Sequence, residues 1–318
     1  MRHTSIVTGG AGFIGSHLCD LLIQKDHKVI CVDNLQTGST ENISHLSNNE
    51  DFEFMEHDIE SPLSIGNEKI DFVFNLACPA APIHYRANPL KTVRTNTIGV
   101  LNVLELAKKH NARVLQASTS EIYGDPLVHP QRESYWGNVN PIGPRACYDE
   151  GKRIAEVLFT EYRNEHNLDI RIVRIFNTYG PRMATNDGRV MPNFITQALN
   201  NDNLTVYGDG SQTRSFCYAS DLIAGLYKLM MSETYTGPVN LGNPHEITIN
   251  DLTRTILSLT ESSSEIVHIE LPKDDPTRRK PDIAKASKEL DWSPEIELEE
   301  GLKLTIDYFK NSDARNTS

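Results

Sequence analysis

Tyr148 and Lys152 stand four residues apart in the stretch Tyr148-Asp149-Glu150-Gly151-Lys152. On a helix that spacing puts both side chains on one face, one turn from each other. A free phenol titrates near pH 10, so an ordinary tyrosine is a poor base at neutral pH. A neighbouring ammonium favours the phenolate and lowers that value. A tyrosine tuned in this way can take a proton from a hydroxyl while a hydride leaves the same carbon. The pair alone is a weak signal, because a half-buried Tyr with a solvated Lys one turn away is common in helices. Its weight depends on what surrounds it.

A hydride needs an acceptor, and the N-terminal stretch is built for one. Ser5-Ile6-Val7-Thr8 reads as a strand, followed by Gly9, Gly12 and Gly15 and then by a helical pattern from Ser16 to Leu22. Glycines at that spacing allow a tight turn, close approach of a pyrophosphate and close packing of the helix on the sheet. The helix N-terminus adds amide donors and positive dipole. A second strand, Val29-Ile30-Cys31-Val32, ends at Asp33, whose carboxylate suits an adenosine ribose and repels a 2′-phosphate. No arginine follows it directly, so NAD is expected rather than NADP. Asp58 and Ile59 follow a third strand, Phe52-Glu53-Phe54-Met55, at the edge where an adenine would lie. They read equally well as a capping residue and a core residue.

These groups need a frame. Phe72-Val73-Phe74-Asn75-Leu76-Ala77 is a continuous apolar run, as for a strand buried on both faces, and ends in the stiff loop Cys78-Pro79-Ala80-Ala81-Pro82. Val114-Leu115-Gln116-Ala117 is a further strand; the hydroxyls that follow, in Ser118-Thr119-Ser120-Glu121, could share a substrate proton with Tyr148. Another strand covers Ile170-Arg171-Ile172-Val173-Arg174-Ile175-Phe176. Strands alternate with helices to about residue 180, which predicts an α/β fold with a doubly wound parallel sheet, Rossmann-like. The expected dinucleotide-binding domain is 1–180, with a return segment near 216–243. Residues 181–318 form a smaller α/β substrate-binding domain. There turns are frequent and arginines stand in loops, at Arg182, Arg189, Arg214, Arg278 and Arg279. The helices from about Pro89 to His110 and after Tyr148 carry broad apolar faces, for packing on the sheet or for a second copy of the chain.

With 318 residues, 38% of them hydrophobic and 23% charged, the chain has the composition of a globular protein with a sizeable core. No apolar run reaches the ~18 residues of a membrane span. Met1-Arg2-His3-Thr4 passes almost directly into a strand, so no signal peptide is expected. Five dispersed cysteines suggest reduced thiols in the cytoplasm, and eleven histidines without ligand-like spacing suggest no metal. A net charge of −12 argues against a nucleic-acid partner, and means that an anionic substrate needs a local cluster of arginines.

Taken together, the glycine motif, Asp33, Ser118-Thr119-Ser120-Glu121 and Tyr148-xxx-Lys152 resemble the extended short-chain dehydrogenases/reductases that modify nucleotide sugars. The resemblance runs from Ser5 to about Tyr308. Within that family it is strongest to the UDP-glucuronate decarboxylases. Asn75-Leu76-Ala77-Cys78-Pro79-Ala80, Trp136-Gly137-Asn138-Val139-Asn140-Pro141-Ile142-Gly143, Cys147-Tyr148-Asp149-Glu150-Gly151-Lys152-Arg153 and Gly210-Ser211-Gln212-Thr213-Arg214-Ser215-Phe216 carry it. Sister families depart at two positions: the 4,6-dehydratases have an aspartate where Ser120 stands, and the 4-epimerases an apolar residue where Glu121 stands.

The resemblance implies a catalytic set of Thr119, Ser120, Glu121, Tyr148, Lys152 and Arg214. It implies that NAD is held by Gly9, Gly12, Phe13, Ile14, Gly15, Asp33, Asn34, Gly38, Asp58, Ile59, Leu76, Ala77 and Thr95, together with Thr119, Tyr148 and Lys152. The substrate, UDP-glucuronate, falls to Pro82, Tyr85, Glu121, Asn177, Asn193, Val206, Tyr207, Gln212, Arg214 and Arg279. Arg279 fits the family pattern better than Arg278. The implied reaction oxidises the sugar at C4, releases carbon dioxide and reduces the C4 ketone again, in a homodimer. Beside a carboxylated sugar the Glu121 carboxyl is expected to titrate high. A 4-epimerase or 4,6-dehydratase would share the cofactor and Tyr148. A non-catalytic NAD-binding protein would need neither Tyr148 nor Lys152.

Overall fold

The structure is a computed structural model that describes residues 2–66, 68–270 and 278–316, with side chains as far as Asn311. The strands β1 (Thr4–Thr8), β2 (Lys28–Asp33), β3 (Phe52–Glu56), β4 (Phe72–Asn75), β5 (Arg113–Thr119) and β6 (Ile170–Ile175) lie in one sheet. A seventh strand, Val239–Leu241, completes it. The order across the sheet is Val239–Leu241, β6, β5, β4, β1, β2, β3, and every pairing is parallel. The winding direction reverses between β1 and β4, and ligands bind in the crevice at such a point.

Period-two alternation decides which residue faces which layer. Val7, Cys31, Phe74, Leu115 and Val173 face the helices Phe13–Gln24 and Ala219–Met231, in one core with Leu18, Leu22, Leu222 and Leu226. Ile6, Ile30, Val73, Val114 and Ile172 face the helices Val100–His110 and Ala146–His166, with Val103, Leu104, Ala155 and Phe159. Both faces of the sheet are covered, so its central strands are largely apolar. The helix expected from Pro89 to His110 consists of Pro89–Arg94, a π-turn at Thr95–Gly99 and Val100–His110. Its inner face packs on the sheet, while Leu90, Val93 and Leu101 stay exposed on the outside beside Ile154 and Val157.

Two details at the carboxyl edge of the sheet differ from the sequence reading. β4 stops at Asn75, two residues early, because the Asn75 amide is needed sideways: its Oδ1 accepts from Thr8 Oγ1 at 2.7 Å and its Nδ2 donates to Gln116 Oε1 at 2.8 Å. β5 runs on to Thr119, so Ser118 and Thr119 are strand residues and Ser120–Tyr123 is a single 3-10 turn.

A third core gathers the helices Val190–Asn200, Ile249–Thr260 and Leu298–Asn316 around the strand Leu204–Tyr207. Beside it Thr213–Ser215 lies between Glu246–Thr248, antiparallel, and Arg278–Arg279, parallel. That register sets Arg214 directly opposite Arg279. Among the described residues no helix is long and apolar enough to cross a membrane.

Candidate active site

The turn after β1 brings backbone to the mouth of the crevice. Gly9 has φ +71°, and a Cβ there would lie 2.9 Å from the Ala77 nitrogen. A Cβ on Gly15 would stand 2.1 Å from the Gly9 carbonyl oxygen, so any side chain would push the helix off the turn. Gly12 caps the helix Phe13–Gln24 without a side-chain hydrogen bond, leaving the first-turn amides for a ligand. This cradle fits a dinucleotide pyrophosphate.

Asp33, at the end of β2, is 7% exposed; its Oδ2 accepts from the Ala11 amide at 3.0 Å and its Oδ1 from the Leu35 amide at 2.8 Å. Burial pushes its carboxyl up, against the pull of those backbone donors. A carboxylate oxygen accepts more than one hydrogen bond, so a ribose hydroxyl can be added. A Cβ on Gly38 would meet Asp33 Oδ2 at 2.9 Å, so that glycine lets the loop close over the acid. NAD should bind at least about tenfold more tightly than NADP, a difference of ~1.4 kcal/mol. Equal affinities in a calorimetric titration would remove Asp33 from this role.

The remaining cofactor candidates divide. Phe13, Ile14, Leu76 and Lys152 line one cavity of about 890 Å³. Asn34 donates to Asp58 at 3.0 Å, and Asp58 pairs with Lys91 at 2.5 Å. Desolvation would raise Asp58, but Lys91, the Glu60 amide and Asn34 together hold the carboxyl below the usual range. Ile59 is a core residue that fills the space left by Gly99. The Thr95 hydroxyl donates to Glu60 at 3.1 Å.

Tyr148 sits in the first turn of the helix Ala146–His166, which starts two residues before it, and is 5% exposed. Its ring stacks on Tyr85 at 4.8 Å between centroids and 8° between planes. The Lys152 ammonium lies 5.9 Å from the Tyr148 ring centre and donates to the Ala117 carbonyl at 2.9 Å. Thr119, the last residue of β5, hydrogen-bonds Tyr148. Burial dominates the titration of both members of the pair. It pushes the Tyr148 phenol up, with only the Thr119 bond among the leading influences pulling it down, and it pushes the Lys152 ammonium down. The low phenol expected from the spacing alone is therefore reversed in the free protein, because desolvation is invisible in a two-residue motif. Ser118 also lines the cavity, and its hydroxyl donates to Glu156 at 2.6 Å.

Glu121 meets a wall of cations. Arg145 reaches its Oε2 at 2.5 Å and Arg279 the same oxygen at 3.3 Å. Burial would raise the Glu121 carboxyl, but Arg279, Arg145 and Arg214 together hold it below the ordinary range. In the free protein Glu121 is therefore ionised, and the rise expected beside a carboxylated sugar belongs to the complex. Arg279 is 2% exposed and donates to the Ser120 carbonyl and to the Gly124 carbonyl as well, so it fastens the Ser120–Tyr123 turn. Gln131 holds the same strand from the other side: its Oε1 accepts from the Lys280 amide at 2.8 Å.

The cavity also reaches the candidates Pro82, Tyr85, Asn177, Asn193, Tyr207, Gln212 and Arg214. Val206 is the correction: its side chain is fully buried in the third core, since alternation along Leu204–Tyr207 turns Leu204 and Val206 inward and Tyr207 outward. Two residues were missed. Arg145 lines the cavity, and Asp149 is 7% exposed behind it. Both could have been found, since Arg145 precedes Tyr148 by three residues and Asp149 by four, placing it over the same helical turn.

The model of the GDP-mannose 4,6-dehydratase family matches residues 6–305. UDP-glucuronic acid decarboxylase 6 of Arabidopsis thaliana is 54% identical over 306 residues, covering 96% of this chain and 88% of that protein. UDP-glucuronic acid decarboxylase 1 of Xenopus tropicalis is 54% identical over 309 residues, covering 97% and 72%. The solved structure of UDP-glucuronic acid 4-epimerase from Bacillus cereus, in complex with UDP-glucuronic acid and NAD, superposes with a TM-score of 0.87 at 29% identity, covering 97% of this chain and 99% of that one.

Proposed function

The chain belongs to the GDP-mannose 4,6-dehydratase family of extended short-chain dehydrogenases/reductases, and within it we propose that it decarboxylates UDP-glucuronate to UDP-xylose, using NAD without consuming it. The observation that carries this reading is the junction of two halves of one cavity. One half has Thr119, Tyr148 and Lys152 for work on a hydroxyl; the other has Glu121 among Arg145, Arg214 and Arg279 for an anionic sugar.

NAD, held by the glycine turn and Asp33, would supply a hydride acceptor, a positive charge and the returning hydride. Tyr148 takes the proton of the C4 hydroxyl, and the buried Lys152 ammonium favours the phenolate so formed. A ketone at C4 makes the sugar's carboxylate a β-keto acid, and carbon dioxide leaves as its bonding electrons drain into the carbonyl. Thr119 and Tyr148 donate to the C4 oxyanion that develops; such donors typically contribute ~3 kcal/mol. No hydroxyl departs, so no acid is required on one, and Ser120 suffices where the dehydratases carry aspartate. The arginines receive the diphosphate and the sugar's acid end, for which their planar donors are suited.

Incubation with UDP-glucuronate and NAD should release carbon dioxide and yield UDP-xylose. Formation of the 4-epimer with no carbon dioxide would transfer the chain to the epimerases. We further place the protein as a homodimer in the cytoplasm. Leu90 at 70% and Val157 at 50% exposure, beside Val93, Leu101 and Ile154, support a second copy seated on these two helices. The five free thiols support a reducing compartment. Sedimentation should give twice the chain mass, and Val157→Asp should give monomer. A monomeric parent protein, or recovery of the protein from an exported fraction, would count against these assignments.

A further inference from the structure

The helix face that carries Tyr148 and Lys152 continues one turn further to Glu156, since the three are spaced by four within Ala146–His166. The last two are tied to the end of β5. Lys152 donates to the Ala117 carbonyl at 2.9 Å, and Ser118 Oγ donates to Glu156 Oε1 at 2.6 Å. Glu156 is held in turn by Arg174 on β6, which stands opposite Ser118 in the parallel register. The pair is bidentate: Arg174 Nε donates to Oε1 at 3.0 Å and Nη2 to Oε2 at 2.8 Å. Arg174 Nη1 turns the other way, to the Tyr123 hydroxyl at 3.0 Å and the Glu133 carbonyl at 2.9 Å. The Tyr123 hydroxyl donates onward to Asn240 Oδ1 at 2.8 Å, on the seventh strand. Ser118, Tyr123, Arg174 and Asn240 are all buried.

One guanidinium thus reaches both ends of a short segment, Ser118 through Glu156 and Tyr123 directly. Between those ends lie Thr119, Ser120 and Glu121, which line the cavity. A buried ion pair is weak evidence for stability, because an apolar pair of similar volume often does as well. What this one supplies is a fixed fork geometry.

We propose that the Glu156–Arg174 pair is a positioning centre for the reaction, setting Thr119 through Ser118 and Glu121 through Tyr123. The inference rests on the decarboxylase reading and adds residues to it. Glu156, Arg174 and Tyr123 are not among the described residues that line the cavity, so they act through the segment they hold. Ser118 does line it, but its one hydroxyl proton is given to Glu156. The two ends serve different steps. Thr119, beside Tyr148, serves the chemistry at C4, and Glu121 serves the protonation of C5 after carbon dioxide has left.

The test uses the full-length protein with Ser118→Ala, Tyr123→Phe and Arg174→Lys. Single turnovers with UDP-glucuronate are followed by the absorbance of reduced cofactor, by carbon dioxide and by UDP-xylose. Ser118→Ala should slow the appearance of reduced cofactor at least about tenfold, the scale of a misplaced reacting group. Tyr123→Phe keeps the ring that stacks on Tyr135. It should leave reduced cofactor and carbon dioxide within about twofold of the parent and slow UDP-xylose at least about fivefold, with the 4-keto pentose accumulating. Arg174→Lys keeps the charge but loses the fork, and should show both defects. Its amide hydrogen exchange should rise over Ser118–Tyr123. Calorimetric affinities for NAD and UDP-glucuronate should stay within about twofold throughout, so that the loss falls on kcat and not on KM. Glu156→Gln combined with Ser118→Ala should be no slower than the slower single variant, since both act on one bond. Ser118→Ala and Tyr123→Phe each remove a single oxygen, and decide the question even where Arg174→Lys does not fold. Parent rates in either, the same steps slowed equally by both, or additive losses in the double variant would overturn the proposal. No carbon dioxide from the parent, with reduced cofactor still slowed in Ser118→Ala, would overturn the decarboxylase reading and leave the positioning role supported.

Discussion

Tyr148→Phe is expected to lower turnover of UDP-glucuronate at least about a hundredfold, the scale of acid–base catalysis, with cofactor and substrate still bound. The substitution removes one oxygen and keeps the ring that stacks on Tyr85 and fills the cavity wall. It deletes the group, hydrogen-bonded to Thr119, that accepts the C4 proton in this reading. The loss should be large for a second reason. The phenol is buried and titrates high, so the ammonium of Lys152 and the positive ring of bound NAD are needed to make it a base. None of that arrangement can be lent to water. Rapid-mixing measurements of carbon dioxide release, with binding measured separately by calorimetry, check the result. A folded variant with the parent's rate would take Tyr148 out of the chemistry.

Glu121→Gln should bind UDP-glucuronate and turn it over about a hundredfold more slowly. The amide keeps the shape but removes the negative charge on which Arg145 and Arg279 converge. Binding survives because the substrate brings anionic groups to the same arginines. Turnover suffers because glutamine neither receives nor passes on a proton. The pH sense follows from the free protein: the carboxyl is held low, so Glu121 is a carboxylate throughout the neutral range and must be loaded from elsewhere during the cycle. In deuterated water the parent should place deuterium at C5, and the variant should do so slowly. UDP-xylose made at the parent rate with normal labelling would leave Glu121 a structural partner of the two arginines.

What could be read from the sequence was local in the chain. The glycine turn, Asp33 and Tyr148-xxx-Lys152 are each set by spacings of a few residues within one turn or helix, where backbone geometry fixes the outcome. The inward turn of Val206 was also local, since strict alternation from Leu204 puts it in the core. The pairing of Arg214 with Arg279 was not: it depends on a parallel register between strands far apart in sequence. The titration of Tyr148 and of Glu121 in the free protein was not legible either. Desolvation and the convergence of Arg145, Arg214 and Arg279 exist only once separate elements have packed. Arg145 and Asp149 lay in between, since their helical spacing was visible, but nothing local showed which face would be sealed from water.

The seventh strand, Val239–Leu241, has a consequence for how the chain is made. Among the described residues it pairs with β6 alone, and about sixty residues of other structure separate the two in sequence. On the ribosome β6 therefore emerges as a bare sheet edge and stays bare for several seconds at ~5–20 residues per second. An exposed edge of parallel strand is a template for pairing with another nascent chain. The cover arrives only after the helices Val190–Asn200 and Ala219–Met231 have been synthesised, and before Ile249–Thr260 and Leu298–Asn316. The seven-stranded sheet therefore cannot be completed before the segment between β6 and Val239 exists, and that interval is when a chaperone has most to protect.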